Sequence, residues 1–350
     1  MNTAQSLIII ITLLTSLAAT LPGIFLMLRG VALLSDAISH AVLPGMVIMF
    51  LYTNQLESPL LIFGASLAGL LTVLCTERII QSKQLNKDAA IGLVFPLFFS
   101  VGILLISLYA RTIHLDMDTV ILGEVAFTPF NRLVINGIDY GPYAIWIMGS
   151  IALLNTLLLM LCYKELVLTT FDAPFARIVG ISPTSIYYGL MLITSITTVS
   201  ALNIVGSTVV VALMLAPAGT AYLLSKQIKP LIGLSILFGA AATLSGYTFA
   251  HMYNVSIAGS IACMSGLLFA LVIILAPNYG LCAQLIYSRT TMRNLRIKIV
   301  CEYLVKNNAQ ESSTIAHALG WQLDDTQAIL SAAEQQKLVI KSANYYSVIQ

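Results

Sequence analysis

Residues 31 to 52 read VALLSDAISHAVLPGMVIMFLY, an apolar run of membrane-spanning length that carries an Asp and a His. Asp36 and His40 are four residues apart. On a helix that spacing puts both side chains on one face about one turn from each other, with Ser39 beside His40. Across a hydrocarbon core of about 30 Å, at ~1.5 Å rise per residue, His40 falls near the midplane and Asp36 ~6 Å closer to the cytoplasm. An ionised Asp at that depth costs ~2.5 to 3.5 kcal/mol, so it must face water or protein rather than lipid. A carboxylate oxygen with an imidazole nitrogen suits Mn(II), Fe(II) or Zn(II), and no thiol lies nearby to favour Cu(I). On chemistry alone the pair equally serves a proton relay or hydrogen bonds between helices, because two ligands are too few to specify a metal site.

The rest of the chain is of the same kind. Of its 350 residues 58% are hydrophobic and 9% charged, against roughly 25% charged in an ordinary soluble domain. Together with a mean hydropathy of +0.92 this excludes a soluble enzyme. Apolar runs predict spans at about 7 to 28, 31 to 52, 59 to 76, 89 to 110, 141 to 162, 185 to 202, 207 to 224, 231 to 250 and 257 to 277. The first lacks a basic leader and exceeds a signal-peptide core, so it reads as a permanent span. With the N-terminus outside, Arg29, Arg78, Lys83, Lys87, Lys164, Arg177, Lys226, Lys229 and Arg289 fall in the cytoplasm and only Arg111 and Arg132 outside. The expectation is an all-α polytopic membrane protein of about nine helices, N-out and C-in.

Pro44-Gly45 and Pro217-Ala218-Gly219 interrupt two of these runs, and Asn203 to Gly206 joins a short pair of spans. Such interruptions either shape broken helices beside a pathway or reflect the general frequency of Pro and Gly in membranes. The five cysteines show no CxxC spacing and read as free thiols. No GxxxxGK[ST] phosphate loop occurs, so any ATP driving transport is hydrolysed on another polypeptide. In the outer loop His114, Asp116 and Asp118 would share one face of an extended segment and form a cation-attracting mouth, or else they are simply solvated. His251, at the outer end of its span, is a further pathway candidate or an interfacial anchor.

Charge rises near Ser288: residues 290 to 350 hold 11 of the 32 charged side chains. Residues 1–288 therefore read as a membrane domain and 289–350 as a soluble tail. The tail predicts helices at about 292 to 306, 312 to 319 and 324 to 336, with a break at Gly320, then strands at Lys337 to Lys341 and Tyr345 to Ile349. That order resembles a small α+β winged-helix domain. Its third helix starts with Asp324 and Asp325, either of which can act as N-cap, and offers Glu334 with Gln327, Gln335 and Gln336, whereas a DNA-reading helix presents Arg, Lys, Asn or Gln within a basic footprint. A docking or regulatory role is expected over DNA binding.

The stretch SDAISHAVLPG (Ser35 to Gly45) resembles the signature of permease subunits of ATP-binding-cassette importers for zinc, manganese and iron. NKDAAIGLVF (Asn86 to Phe95), DTVILGEV (Asp118 to Val125), FDAPFARIVG (Phe171 to Gly180) and VVALMLAPAGTA (Val210 to Ala221) follow in that family's order. The resemblance implies a catalytically inert, multi-pass permease in a bacterial inner membrane, with no permanently bound cofactor. It implies as partners a second permease copy or paralogue, cytoplasmic ATPases and an extracytoplasmic metal-binding protein. It places Asp36 and His40 on the metal path and Phe171, Asp172, Ala176 and Gly180 in the loop that receives the ATPase. Pro44, Gly45, Pro217 and Gly219 shape helices. Physically, Asp172 can cap a short helix at Ala173 or Pro174 that Gly180 ends. Two other classes compete with the importer: a proton-coupled secondary metal carrier using Asp36 and His40, and a membrane-bound metal-responsive regulator acting through its tail.

Overall fold

The computed structural model describes residues 3–53, 59–109, 125–135, 138–276, 280–335, 338–342 and 345–348. They form two compact units, Met1–Ile273 and Ile274–Gln350. In the first, the helices are α1 (Thr3–Leu28), α2 (Leu34–Ala41), α3 (Leu43–Thr53), α4 (Pro59–Gln81) and α5 (Lys87–Tyr109). A hairpin of β1 (Arg132–Ile135) and β2 (Ile138–Pro142) precedes α6 (Tyr143–Leu161), α7 (Tyr163–Phe171), α8 (Ala173–Ile178), α9 (Pro183–Val205), α10 (Ser207–Leu224), α11 (Ile228–Tyr253) and α12 (Ile257–Leu275). Among the described residues nine helical segments are long and apolar enough to cross a membrane, α2 and α3 counting as one. Each matches a span expected from the sequence, and the chain is a polytopic, mainly helical membrane protein.

α1 lies at the centre, packed against α6, α9, α10 and α11. α2 packs on α4, α5, α9 and α10, while α3 packs on α4 and α5. Hydrophobic burial between helices gains little in lipid, so close backbone approach and side-chain hydrogen bonds must hold them. Gly45 shows the first: a Cβ there would overlap the Gly64 carbonyl of α4. Pro22 and Pro217 show the second. A proline inside a helix leaves the carbonyl four residues earlier without its N–H partner. The Ala18 carbonyl freed by Pro22 accepts from Asn155 Nδ2 at 2.8 Å, and the Leu213 carbonyl freed by Pro217 accepts from Thr20 Oγ1 at 3.1 Å. Each freed acceptor is thus closed by a neighbouring helix, as a water-poor interior requires.

The two sequence interruptions differ in outcome. α2 and α3 part at Val42, just before Pro44-Gly45. α10 instead runs unbroken through Pro217, because Thr20 replaces the lost bond. Gly206 alone links α9 and α10, where the sequence suggested a connection of four residues. Cys75, Cys162, Cys263 and Cys301 are free, as expected, and burial pushes the Cys301 thiol up, away from the reactive thiolate.

The second unit contains α13 (Leu281–Asn307), β3 (Gln310–Glu311), α14 (Ser312–Leu319), α15 (Leu323–Gln335), β4 (Val339–Ser342) and β5 (Tyr345–Val348), with antiparallel sheet order β3-β5-β4. Ile297, Val300 and Leu304 of α13 join Ile315, Ile329, Leu330, Ala333, Val339 and Tyr346 in its own core. α13 crosses Ser288 without a break, because the segment LCAQLIYS that opens it is still apolar and charge rises only within the helix. Asp324 and Asp325 are not the cap of α15. The helix begins one residue earlier, which puts both acids in its first turn, where they complement the helix dipole. Asp325 Oδ2 also lies 3.5 Å from Arg296 Nη1, whose guanidinium sits 5.5 Å above the Trp321 ring.

Candidate metal pathway

α2 has one closed and one open face. Leu34, Ser35, Ala37, Ile38, Ser39 and Ala41 are buried against neighbouring helices. Asp36 and His40 point the other way, with side chains 46% and 38% exposed. His40 Nε2 lies 3.5 Å from Asp36 Oδ1. The rings of Phe95 and Phe99, one turn apart on α5, flank the imidazole with centroids 6.1 and 6.2 Å away. The pair therefore forms a rim, with protein on the α5 side and an open approach opposite. Among the described residues no group of three or more His, Cys, Asp or Glu is placed to hold a metal. Pro44 frees the His40 carbonyl, which no side chain of another helix satisfies among the described residues.

The other expected pathway residues are not gathered here. Ser39 is buried, and its hydroxyl donates to the Ser35 carbonyl at 3.0 Å. His251 belongs to a separate cluster, stacked on Tyr247 with Gln5 Nε2 3.4 Å from its Nε2. His114, Asp116 and Asp118 lie outside the described residues. Asp139 of the β1–β2 hairpin is already matched: Arg132 Nε lies 2.6 Å from its Oδ2, and the Gly141 N–H donates to its Oδ1 at 2.9 Å. Arg132 and that N–H hold its carboxyl below the usual range. Two cavities of ≈ 130 and ≈ 250 Å³ are lined by Asn155 with Ser185 and by Pro44 with Gly64 respectively, and are otherwise largely apolar. Neither contains Asp36 or His40.

Phe171 to Gly180 folds as the sequence suggests. Asp172 ends α7 and caps α8, its carboxylate accepting from the Phe175 N–H at 2.9 Å. Pro174 occupies the first turn, where its missing N–H costs nothing. Ala176 is fully buried. Gly180 has φ +88°, a left-handed conformation that other residues rarely adopt, and lets Ile181 N–H return to the Ala176 carbonyl at 2.9 Å. The result is a small helix that presents Phe171, Phe175, Ile178 and Val179 outward.

Two residues outside the sequence-predicted site are conspicuous in the structure. Asn155, the one amide in the apolar run Tyr143 to Leu161, bonds both α1 and Thr197 of α9. Its isolation in that run, with Pro22 in α1, was the available signal. Arg29 closes α1 and donates from Nε to Thr170 Oγ1 at 3.1 Å and from Nη2 to Thr169 Oγ1 at 2.8 Å. Burial lowers its pKa, an effect the neighbouring Tyr187 opposes. Nothing in local sequence announces partners some 140 positions away.

The fold is that of a polytopic membrane protein, with a half-open acid and imidazole on α2. The chain belongs to the ABC 3 transport family, whose model matches residues 3–276. It is similar to the manganese transport system membrane protein MntD of Bacillus subtilis, 39% identical over 276 residues that cover 79% of this chain and 93% of that protein. It is also similar to the zinc transport system membrane protein TroD of Treponema pallidum, at 38% identity over 297 residues, 85% of this chain and 81% of that one. Among solved structures, PsaBC from Streptococcus pneumoniae in complex with Fab matches with a TM-score of 0.64 and 29% identity, covering 78% of this chain and 91% of that one. The family resemblance read from the motifs is therefore correct, and the chain is a multi-pass transport permease rather than an enzyme.

Proposed function

We propose that this chain is the membrane-spanning permease of an ATP-driven importer of manganese, zinc or ferrous ion, and that Asp36 and His40 are the cargo's ligands. The carrying observation is their half-open placement on α2, 3.5 Å apart on a helix whose other face is buried. One acid and one imidazole attract a dication without enclosing it, which suits transit better than storage. A second permease copy offering the same pair would double the ligand number, so the path runs between two copies. The N-out, C-in arrangement has support from Arg29 and Lys87, two cations that meet at one end of the bundle.

The apolar surface of Phe171, Phe175, Ile178 and Val179, fixed by Asp172, Ala176 and Gly180, seats a separate ATPase. An extracytoplasmic metal-binding protein delivers cargo to the opposite side. The second unit is a cytoplasmic winged-helix-like module used for docking or regulation, because exposed Asp324 and Asp325 open the helix that would otherwise meet DNA phosphates. Uptake of each metal into vesicles holding the complete complex, with and without ATP, tests the transport reading. Uptake that ignores ATP and collapses with the proton gradient overturns it in favour of a secondary carrier. Tight, sequence-selective, salt-tolerant binding of the tail to duplex DNA overturns the docking role.

A further inference from the structure

A polar cluster around Arg29 joins five helices of the membrane unit. The guanidinium at the end of α1 holds Thr169 and Thr170 of α7. Both hydroxyls spend their protons on their own helix, Thr169 on the Glu165 carbonyl at 2.7 Å and Thr170 on the Leu166 carbonyl at 2.5 Å. Their lone pairs are thus fixed outward as two adjacent acceptors, a pattern that suits a planar fork of donors and not a lysine. The Arg29 guanidinium carbon lies 5.8 Å from the centroid of the Tyr187 ring on α9, and Glu77 of α4 is an electrostatic neighbour of the Tyr187 hydroxyl. The Arg29 carbonyl accepts from Lys87 Nζ of α5 at 3.1 Å.

The two ends of this cluster lead to the two functional elements. On one side, the Asp172 N–H bonds the Leu168 carbonyl and the Ala176 N–H bonds the Asp172 carbonyl, so α7 and α8 are joined without slack. On the other side α1 ends in a tight turn. There the Gly30 N–H returns to Met27 O, the Val31 N–H to Leu26 O and the Leu34 N–H to Val31 O, and α2 with Asp36 follows at once.

We propose that Arg29 is a positioning residue for transport: it ties the α7–α8 segment to the α1–α2 turn, so that displacement of that segment by the ATPase reaches the helix carrying Asp36 and His40. This rests on reading Phe171 to Gly180 as the ATPase seat. The Tyr187 ring and the Lys87 bond to its carbonyl anchor Arg29 against α9 and α5, while the fork is its tie to α7.

The test uses the complete transporter, purified through this chain and placed in lipid vesicles, with whichever of manganese, zinc or ferrous ion the wild type accumulates. Metal taken up and ATP hydrolysed are measured in the same vesicles. Arg29→Gln should keep the ATPase subunit at wild-type stoichiometry and lower metal moved per ATP by about five-fold or more, the lower end of ordinary coupling energies. Arg29→Lys should fall between. Thr169→Val with Thr170→Val should lower the same ratio without touching the cation, and adding Arg29→Gln to it should cost little more, since both cut one link. A ratio that stays at wild type in assembled Arg29→Gln, or in the threonine pair if Arg29→Gln does not assemble, overturns the proposal. So does a loss of uptake and hydrolysis in strict proportion to abundance, which marks a structural role only. Asp172→Lys with Ala176→Trp separates the two readings. An ATPase retained by that variant defeats the seat itself, whereas its loss beside an unchanged Arg29→Gln ratio defeats only the Arg29 link.

Discussion

Asn155 and the Asp36–His40 pair are both polar groups set in apolar spans, yet their surroundings are opposite. Asn155 is 4% exposed, and its amide donors close the Ala18 carbonyl and Thr197. Asp36 and His40 are 46% and 38% exposed, and each has the other as its ionisable partner. Desolvation explains the division. A buried neutral amide is stable once its donors are matched, while a carboxylate at comparable depth needs water, a cation or a facing chain. An amide whose donors are spent on two neighbouring helices holds them in place even though its Oδ1 is left without a partner, whereas an exposed acid and imidazole are open to a ligand that comes and goes.

The sharpest way to break this contrast is to exchange the behaviours. Asp36→Asn and His40→Ala should each abolish or strongly reduce ATP-dependent metal uptake, while the chain reaches the membrane and assembles with the ATPase as before. Uptake counted per assembled complex measures it. Normal uptake by both variants would make the pair another helix tie like Asn155. Next in size is the loop: Asp172→Lys with Ala176→Trp removes the α8 cap and fills a buried position, so the ATPase should no longer co-purify at wild-type stoichiometry.

Asn155→Leu should do the reverse of the α2 variants. It strips the partner from Ala18 and Thr197, which in water would cost about 1 to 3 kcal/mol. Interhelical bonds in membranes are worth less, averaging about 0.6 kcal/mol with a maximum near 1.7, because the separated helices also find partners. The second figure governs here. The expected result is therefore a thermal or denaturant midpoint lowered by a fraction of the total stability, with uptake per folded complex unchanged. Uptake lost at full stability would move Asn155 from scaffold to pathway.

How much of this was legible beforehand follows from the range of each interaction. Spans and the Asp36–His40 face rest on periodicity within about twenty residues, and the structure has them where the sequence put them. The Asp172 cap is likewise local and was readable. Arg29 was counted only as one of nine inner cations, because its partners Thr169, Thr170 and Tyr187 come from elements more than a hundred positions away. Whether a proline breaks a helix was equally hidden. Pro217 does not, since Thr20 supplies the missing bond from another helix, while the run containing Pro44 parts at Val42.

The smallest effect belongs to the β1–β2 hairpin, where Asp139 is matched by Arg132 and the Gly141 N–H but, unlike Asn155, is exposed. Arg132 and the Gly141 N–H depress its carboxyl pKa, so the charged form is favoured in the folded state. The sign of the linkage follows: whatever stability the pair contributes is present above the ordinary Asp value, and it is lost as pH falls through the lower folded value. At neutral pH nothing titrates. The group is exposed, so solvent screens the pair and its worth is slight. Asp139→Asn should accordingly leave uptake unchanged at pH 7 and shift only the acid edge of a stability profile, flattening it below about pH 4. A large loss of uptake at pH 7 would mean that matched charge in the hairpin acts on the cation path, and satisfaction of a polar group would then no longer separate scaffold from site.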